Sequence, residues 1–352
     1  MTRLPGARRG PPLAGALLVL LALVDMAVGG PFTDAAGRTV NLPDRITRVL
    51  AAGPPASVLL YTLAPDLMAG WVSAPAAAAL PFLEPRTRGL PAYGRLTGRG
   101  GTANVEAVLA AGAELIVDAG SLGPTYASLA DRVQAQTGIP YILLDGSFAR
   151  MPETYRQLGA ALGRQAEADA LAAYTQDLAG AVAKAVASVP EERRPRVYYA
   201  RGPRGLETGF AGSINTELVE AAGGRNVAQG GDGRLGAVSP EQILAWNPDV
   251  IVTLDPAFAG AIGVDPLWRN SAAVRSGRIY VAPQQPFPWF DAPPGVNRLI
   301  GLRWLAGLLH PDLFPDPMSA VVRDFYHRFY HVDLDPGQVD ALLAAPPAGA
   351  KR

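Results

Sequence analysis

The sequence predicts an α/β fold of two Rossmann-like lobes with mostly parallel sheets, joined by one long α-helix, with a ligand cleft between the lobes. Short apolar segments alternate with helical ones in both halves of the 352-residue chain, which is typical of parallel sheets. Between the halves, residues 152–189 form one segment rich in Ala, Leu and Gln. Residues 104–118 also align without gaps with the segment that begins at Ser239, which indicates an internal repeat.

The first 29 residues are predicted to be a secretory signal peptide. Three arginines precede an apolar run at residues 13–24, and small residues follow the run, which is the order of a basic region, an apolar region and a cleavage site. The run is shorter than the roughly 20 residues that span a bilayer, and we expect cleavage after Gly29. The chain has no cysteine, which excludes disulfides, thiolate metal sites and a lipid anchor on cysteine. We therefore expect a periplasmic protein that is not lipid-anchored.

Composition and charge also limit the class of partner. Lysine and arginine together number 31, as do aspartate and glutamate, so the formal net charge is zero. Without a basic excess, neither nucleic acid nor an anionic membrane surface is expected as the main partner. We expect a monomer that binds a small molecule.

The same patterns give the boundaries of the predicted parts. We expect a signal peptide at residues 1–29, an N-terminal lobe at 30–151, a connecting helix at 152–189, a C-terminal lobe at 190–343 and a disordered tail at 344–352. A connector of this length would span roughly 50 Å at 1.5 Å per residue, enough to lie across two lobes. The alternative is two shorter helices that are broken at Gly163.

Residues 98–103, GRGGTA, fit the dinucleotide fingerprint G-x-G-x-x-G/A. In a true fingerprint an apolar strand leads directly into the glycines, whereas the residues here include Pro91, Gly94 and Arg95. Arg95, Arg99 and backbone amides before a helix N-terminus instead favour the binding of anionic ligand groups. The alternative is a surface loop with solvated arginines.

Two segments of the second half carry further candidate contacts. In residues 197–209, VYYARGPRGLETG, a strand leads into Arg201, and one of two adjacent tyrosines is expected to face the cleft. In residues 283–305, Trp289 lies in a proline-stiffened aromatic loop, and Arg298 begins the helix that follows. Rigid exposed aromatics suit a flat or apolar ligand, and the alternative is that they pack into their own lobe.

Motifs for catalysis or for bare metal ions are missing from the sequence. His327 and His331 have ligand-compatible spacing, but there is no HExxH pattern and the chain has three histidines in all. Neither Ser121 nor Ser213 lies in a nucleophile elbow, and no P-loop occurs. We therefore predict no catalytic residue, no metal-ligating residue and no cofactor.

The paired segments NVEAVLAAGAELIV and SPEQILAWNPDVIV, the helical connector and the late segment VRSGRIYVAP resemble the class III substrate-binding proteins of ABC importers. This family serves cobalamin, ferric siderophores and haem, and it has members for molybdate and tungstate. The resemblance covers residues 32–343. It implies that one glutamate on each lobe, here Glu106 and Glu241, docks onto arginines of the permease subunits. Each glutamate also lies in a predicted first helical turn, where a carboxylate stabilises the helix dipole, and that is the alternative role.

The resemblance also suggests a ligand. Family members that bind ferric chelates surround them with arginines, tyrosines and tryptophans from both lobes, which correspond here to Tyr93, Arg95, Arg99, Tyr199, Arg201, Trp289 and Arg298. We therefore expect a periplasmic binding protein that captures an iron–siderophore complex or a similar metal chelate and delivers it to the permease. A molybdate or tungstate oxyanion is the alternative, which a small site lined by amides and arginines would favour. A third possibility is an exported bilobal α/β enzyme.

Overall fold

A computed structural model describes residues 28–97 and 105–344. The predicted signal peptide, apart from residues 28 and 29, and the predicted tail, apart from residue 344, lie outside the described residues. The strands are β1 Val28–Thr33, β2 Thr39–Pro43, β3 Val49–Ala51, β4 Leu115–Gly120, β5 Tyr141–Asp145, β6 Arg196–Ala200, β7 Glu207–Gly209, β8 Arg225–Asn226, β9 Leu235–Ala237, β10 Val250–Thr253 and β11 Ile279–Val281. The α-helices are α1 Pro54–Leu63, α2 Val105–Ala110, α3 Pro124–Thr137, α4 Met151–Leu162, α5 Gln165–Val186, α6 Glu217–Ala221, α7 Pro240–Trp246, α8 Pro256–Ala261, α9 Ala272–Arg275, α10 Arg298–Leu309, α11 Met318–Tyr330 and α12 Pro336–Leu343.

Each lobe is built around a parallel sheet. In the first lobe the strand order is β3-β4-β5, with Val49 opposite Leu115 and Ile116 opposite Tyr141. In the second lobe the order is β11-β10-β6-β8, and all three pairings are parallel. The central strands are apolar and buried on both faces because helices cover both sides of each sheet. Antiparallel pairs β1-β2 and β7-β9 complete the lobes, so the predicted α/β fold with two mostly parallel sheets is confirmed.

The internal repeat persists in the local backbone geometry. Gly112 and Asn247, which align in the repeat, both end their helical segment with a positive φ, 59° and 39° respectively. Two positions later, Glu114 and Asp249 each donate a backbone N–H, at 2.8 Å, to a carbonyl at the start of the neighbouring strand. The two halves therefore use the same helix–turn–strand unit to form the middle of each sheet.

The connector at residues 152–189 contains two helices, α4 and α5, and not the single helix that its helical pattern predicts. Helix α4 ends at Gly163, whose φ of 66° places it in the left-handed region, and α5 begins two residues later. A Cβ atom on Gly159 would collide with that of Ala168, so glycine lets the two helices pack closely against each other. The expectation of one continuous helix is wrong, and the alternative of a break at Gly163 is correct.

Helix α10 links the two apolar cores, with Ile300 buried in the first and Leu305 in the second, and so does helix α5. Leu171 in its first half is buried in the core of the first lobe, and Val182 in its second half is buried in the core of the second lobe. Its 22 residues span about 33 Å at 1.5 Å per residue. This helix therefore provides the contact with both lobes that we expected from the whole connector.

The C-terminal helices return to the first lobe. Phe325 and Phe329 of α11 stack with ring centroids 4.4 Å apart and are buried with Tyr155 of α4 in the core of the first lobe. The Tyr61 hydroxyl of α1 donates a hydrogen bond to the Tyr330 carbonyl at 2.5 Å. Helices α11 and α12 thus pack away from the lobe in which their sequence position places them. Within the described ranges, no helix is both long and apolar enough to cross a membrane.

Candidate functional site

A cavity of about 870 Å³ lies between the lobes, at the carboxyl ends of their parallel strands. The first lobe contributes the ends of β4 and β5, and the second lobe contributes the residue that follows β6 together with the loop after Asp291. The polar side chains of the lining are Arg95, Thr97, Asp118, Ser121, Tyr126, Asp145, Ser147, Arg201, Asn215 and Asp291. The predicted cleft between the lobes is therefore present, and its wall is rich in hydrogen-bonding groups.

On the first-lobe wall, Asp118 at the end of β4 is 4% exposed. Its Oδ1 accepts hydrogen bonds from the Thr97 hydroxyl at 3.1 Å and from the Ala119 backbone N–H at 3.0 Å. Its Oδ2 accepts from the Tyr141 hydroxyl at 3.2 Å. Burial raises the pKa of Asp118, because it outweighs these hydrogen bonds, which act to lower it. This wall thus carries a buried carboxyl group whose donors, among the residues that the structure describes, are neutral.

On the second-lobe wall, Asp291 is fully buried and holds two cavity residues in place. Its carboxylate accepts hydrogen bonds from the Tyr199 hydroxyl at 3.0 Å and from the Asn215 amide at 2.6 Å, and it forms an ion pair with Arg201. The Arg201 guanidinium also lies 5.6 Å from the centre of the Tyr199 ring. Asp291 therefore fixes the positions of Arg201 and Asn215 while it balances the charge of the arginine.

The structure brings two of the predicted ligand contacts together. Arg95 of the first lobe and Arg201 of the second line the same cavity. Tyr199 is 1% exposed and is connected to the cavity indirectly, through its hydrogen bond to Asp291 and its contact with Arg201. Tyr93 is partly buried against a core of the first lobe and is outside the cavity lining, and Arg99 lies outside the described residues.

Trp289 is a core residue and does not contact the cavity, contrary to our expectation. Its side chain is fully buried, and its indole N–H donates to the Tyr326 hydroxyl at 3.2 Å. Its ring meets the Trp304 ring edge-on, with centroids 6.5 Å apart. The aromatic loop therefore packs inward, which is the alternative that the sequence left open.

Arg298 is also buried, and it connects the two lobes behind the cavity. It donates to the Ile214 carbonyl of the second lobe at 2.7 Å and to the Gly146 carbonyl of the first lobe at 3.1 Å, and it pairs with Glu217. The Glu217 carboxylate in turn accepts from the backbone N–H of Phe148 at 3.0 Å. Burial lowers the pKa of Arg298. Arg298 is fully buried, each of its guanidinium nitrogens donates within the protein, and it is outside the cavity lining, contrary to the expected contact with a ligand.

Sequence reasoning missed most of the polar lining. Thr97, Ser121, Ser147 and Asn215 lie in loops that carry no recognisable motif. Asp118 was missed as well, although it carried a usable signal: it lies near the carboxyl end of a buried strand, where polar residues mark ligand sites in parallel sheets. The missed residues share one property, which is a hydroxyl, amide or carboxyl group on a short side chain.

This lining suits an anion with several oxygen acceptors. Two arginines, one from each lobe, supply charge-assisted donors, and four hydroxyl groups and one amide supply neutral ones. Of the three carboxyl groups among the described lining residues, Asp291 is paired with Arg201, and burial raises the pKa of Asp118. Tyr126 is the one aromatic side chain among the lining residues that the structure describes. Within residues 28–97 and 105–344, no three His, Asp or Glu side chains are grouped so as to hold a metal ion. The wall is therefore built for hydrogen bonding more than for stacking.

Two α/β lobes that face each other across a polar cleft, with no catalytic motif in the sequence, define a binding protein that encloses a small ligand. The chain belongs to the periplasmic binding protein family, whose model matches residues 67–286. Its structural relatives place it among the class III periplasmic binding proteins of ABC transporters. The predicted family is therefore confirmed, and the family is one of binding proteins and not a class of enzymes.

Three relatives illustrate the similarity. An ABC transporter solute binding protein from Sulfurospirillum deleyianum is 30% identical and superposes with a TM-score of 0.81, covering 89% of this chain and 98% of that one. The molybdate-bound structure of MolA from Haemophilus influenzae is 21% identical with a TM-score of 0.73, covering 87% of this chain and 99% of that one, and so shares the fold. In sequence, the molybdate-binding protein MolA of Haemophilus influenzae is 31% identical over 158 residues. That alignment spans less than half of either protein, 44% of each.

Proposed function

We propose that this protein captures a metal oxyanion of the molybdate or tungstate type and delivers it to the permease of an ABC importer. The observation that carries the proposal is the cavity wall, where Arg95 and Arg201 face one space from opposite lobes among short hydroxyl and amide side chains. The named function of MolA, 31% identical over part of the chain, supports the same ligand class. The predicted signal peptide at residues 1–29 would export the protein, which acts as a monomer in this proposal.

The chemistry of the wall explains the preference for an oxyanion. A dianion that leaves water needs both opposite charge and a donor for each oxygen, because an unpaired buried charge is costly. Arginine provides a planar fork of donors that suits oxyanions. Asp291 holds Arg201 in a fixed orientation, so less side-chain entropy is lost when the anion binds. Haem or another flat ligand would instead need aromatic faces, which this wall provides only through Tyr126.

A ferric chelate, such as an iron–siderophore complex, is the second candidate. The cavity of about 870 Å³ lies in the range of roughly 300–1,000 Å³ that holds organic ligands and far exceeds the volume of one tetrahedral oxyanion. Arg95 and Arg201 would then bind the negative charge of the chelate. The volume of the cavity favours the chelate, whereas the hydrogen-bonding groups of its wall favour the oxyanion. We rank these groups first, because closure of the two lobes reduces the volume of the cavity but does not change its side chains.

A thermal-shift panel tests the ligand. The purified protein is heated with molybdate, tungstate, sulfate, a ferric hydroxamate siderophore, haem or cobalamin, and binding to the folded state raises the melting temperature. We expect shifts with molybdate and tungstate, which at about 100-fold excess over Kd correspond to roughly 2.7 kcal/mol. A shift with the ferric siderophore alone would select the second candidate. No shift with any compound would contradict both.

Docking onto the permease is the second part of the proposal. Glu106 of α2 and Glu241 of α7 occupy matching positions in the repeat, and both side chains are exposed. Hydrogen bonding from its own backbone N–H, with a smaller contribution from Ser239, lowers the pKa of Glu241 and keeps it ionised. Two exposed carboxylates, one on each lobe, would pair with arginines on the two permease subunits.

A further inference from the structure

Two equivalent leucines are exposed on the two lobes. In the part of the chain that the structure describes, the large apolar side chains that are exposed are Leu109 at 52%, Leu244 at 53%, Val264 at 80% and Leu313 at 38%. Leu109 and Leu244 occupy the same position of the internal repeat, and their exposed fractions are almost equal. Val264 and Leu313 have no such counterpart. The repeat therefore conserves not only the fold but also an apolar group that faces solvent.

Each leucine lies on the same helix face as the carboxylate that we propose to dock. Leu109 follows Glu106 by three residues in α2, and Leu244 follows Glu241 by three residues in α7, a spacing that places side chains next to each other on a helix. The residue before each leucine is buried in a core, so the leucine itself points away from the lobe. Each lobe thus presents one carboxylate and one leucine side by side.

The chain that precedes each pair contributes a residue to the cavity lining. Thr97, eight residues before α2, and Gly233, seven residues before α7, line the cavity. Each of these helices precedes the middle strand of its sheet, and a helix in such a unit runs back from the carboxyl edge where the cavity lies. The first turn of each helix, with Glu106 or Glu241, is therefore expected on the side of the carboxyl edge.

We propose that Leu109 and Leu244 are the apolar anchors of the permease-docking surface, each inserting into a recess beside the basic group that pairs with the adjacent glutamate. The inference rests on the proposed function and adds to it the apolar part of the contact between this protein and the permease. Two equivalent patches on one chain fit a partner that has two equivalent surfaces, as two copies of a membrane subunit do. A second copy of this chain fits less well, because its own carboxylates at the patches would repel those of the first.

The leucines and the glutamates are expected to contribute differently to docking. An exposed ion pair contributes little on its own, because water screens both charges. Burial of a leucine side chain by a partner changes the affinity by about ten- to a hundredfold. The leucines therefore supply affinity, and the glutamates supply orientation and the rate of encounter.

An uptake experiment tests the inference. Host cells that carry only one variant of the full chain receive limiting molybdate, tungstate or ferric siderophore, and the metal content of the cells is measured. Leu109→Ser with Leu244→Ser should lower uptake at least about tenfold, whereas Val264→Ser, an exposed apolar control, should leave it unchanged. The purified double variant should keep the melting temperature and the ligand affinity of the parent protein. Unchanged uptake in the leucine variant would overturn the inference.

Two further arms separate this failure from failure of the proposed function. Glu106→Ala with Glu241→Ala should also lower uptake, because docking then loses its orientation and its rate of encounter. Normal uptake in the Leu109→Ser, Leu244→Ser variant together with lowered uptake in this glutamate variant would reject the role of the leucines and keep the transport role. If cells with and without the protein take up these ligands equally, the proposal that the protein transports them is rejected. Independently of ligand, a photo-crosslinking residue at position 109 and one at position 244 should each capture the same peptide of one membrane subunit, and position 264 should not. Adducts to different proteins, or none, would overturn the inference.

Discussion

The walls that the two lobes present to the cavity differ in how their buried carboxyl groups are balanced. In the first lobe, the hydrogen bonds that Asp118 receives within the described residues come from neutral groups, and burial raises its pKa. In the second lobe, the strand position equivalent to Asp118 is Thr253, and the buried carboxylate comes instead from a loop, as Asp291 paired with Arg201. The shared repeat therefore determines the scaffold, while strand ends and loops determine the charge that a ligand meets.

The largest expected effect of this difference concerns stability. Asp291→Ala should lower the free energy of unfolding by about 3 kcal/mol, because it leaves a largely buried arginine and a buried tyrosine hydroxyl without their acceptor. Asp118→Ala is the matched control. It should lower the free energy of unfolding by only about 1–2 kcal/mol, because the donors that lose their acceptor are neutral hydroxyl groups. Urea denaturation at pH 7 measures both values. Equal losses would show that the two carboxyl groups do not differ as described.

Ligand affinity is expected to depend on the arginine of the second wall. Arg201→Ala should weaken molybdate binding by about 10- to 100-fold, because one charge-assisted contact to the anion is lost. Arg204→Ala is the control, since this exposed arginine belongs to the same loop but is outside the cavity lining. Isothermal titration calorimetry gives both affinities. If the two variants bind alike, Arg201 does not contact the ligand.

The smallest expected effect is the pH dependence that Asp118 contributes. Because burial raises its pKa in the folded state, the folded protein binds more protons than the unfolded chain above the ordinary pKa of about 3.8. Stability is therefore lost as the pH rises from there through the raised pKa, by about 1.4 kcal/mol for each unit of the shift.

Asp118→Asn removes this term, so the variant should gain stability relative to the parent protein as the pH rises from 4 towards 7. Melting temperatures of both proteins across that range measure the difference. A difference that stays constant with pH would mean that Asp118 ionises in the folded protein as it does in the unfolded chain.

The fold could be predicted because it depends on local patterns. Alternating apolar segments and the aligned repeat reveal the two parallel sheets, and the matching turns at Gly112 and Asn247 show how local that information is. The connector was harder, since a helical pattern continues through Gly163 and only the packing of α4 on α5 favours the break.

The site could be predicted only in part. Arg201 could be predicted because a strand leads into it, and Arg95 because it precedes a helix N-terminus. Trp289 and Arg298 were misplaced because the sequence does not reveal which loop residues pack inward against helices far along the chain. An arginine in a polar, proline-rich segment has the same sequence signature whether it meets a ligand or a set of backbone carbonyls.

The buried contacts of Arg298 also bear on the time course of transport. Its guanidinium and the carboxylate of Glu217 hold backbone groups of both lobes, so the cleft has little freedom to swing open without breaking several buried hydrogen bonds at once. Entry and exit of a ligand would both require this opening, so both would be slow while the buried hydrogen bonds persist. Release of the ligand at the membrane would depend on the permease, which would have to separate the two lobes. The ligand would therefore stay bound until the protein docks.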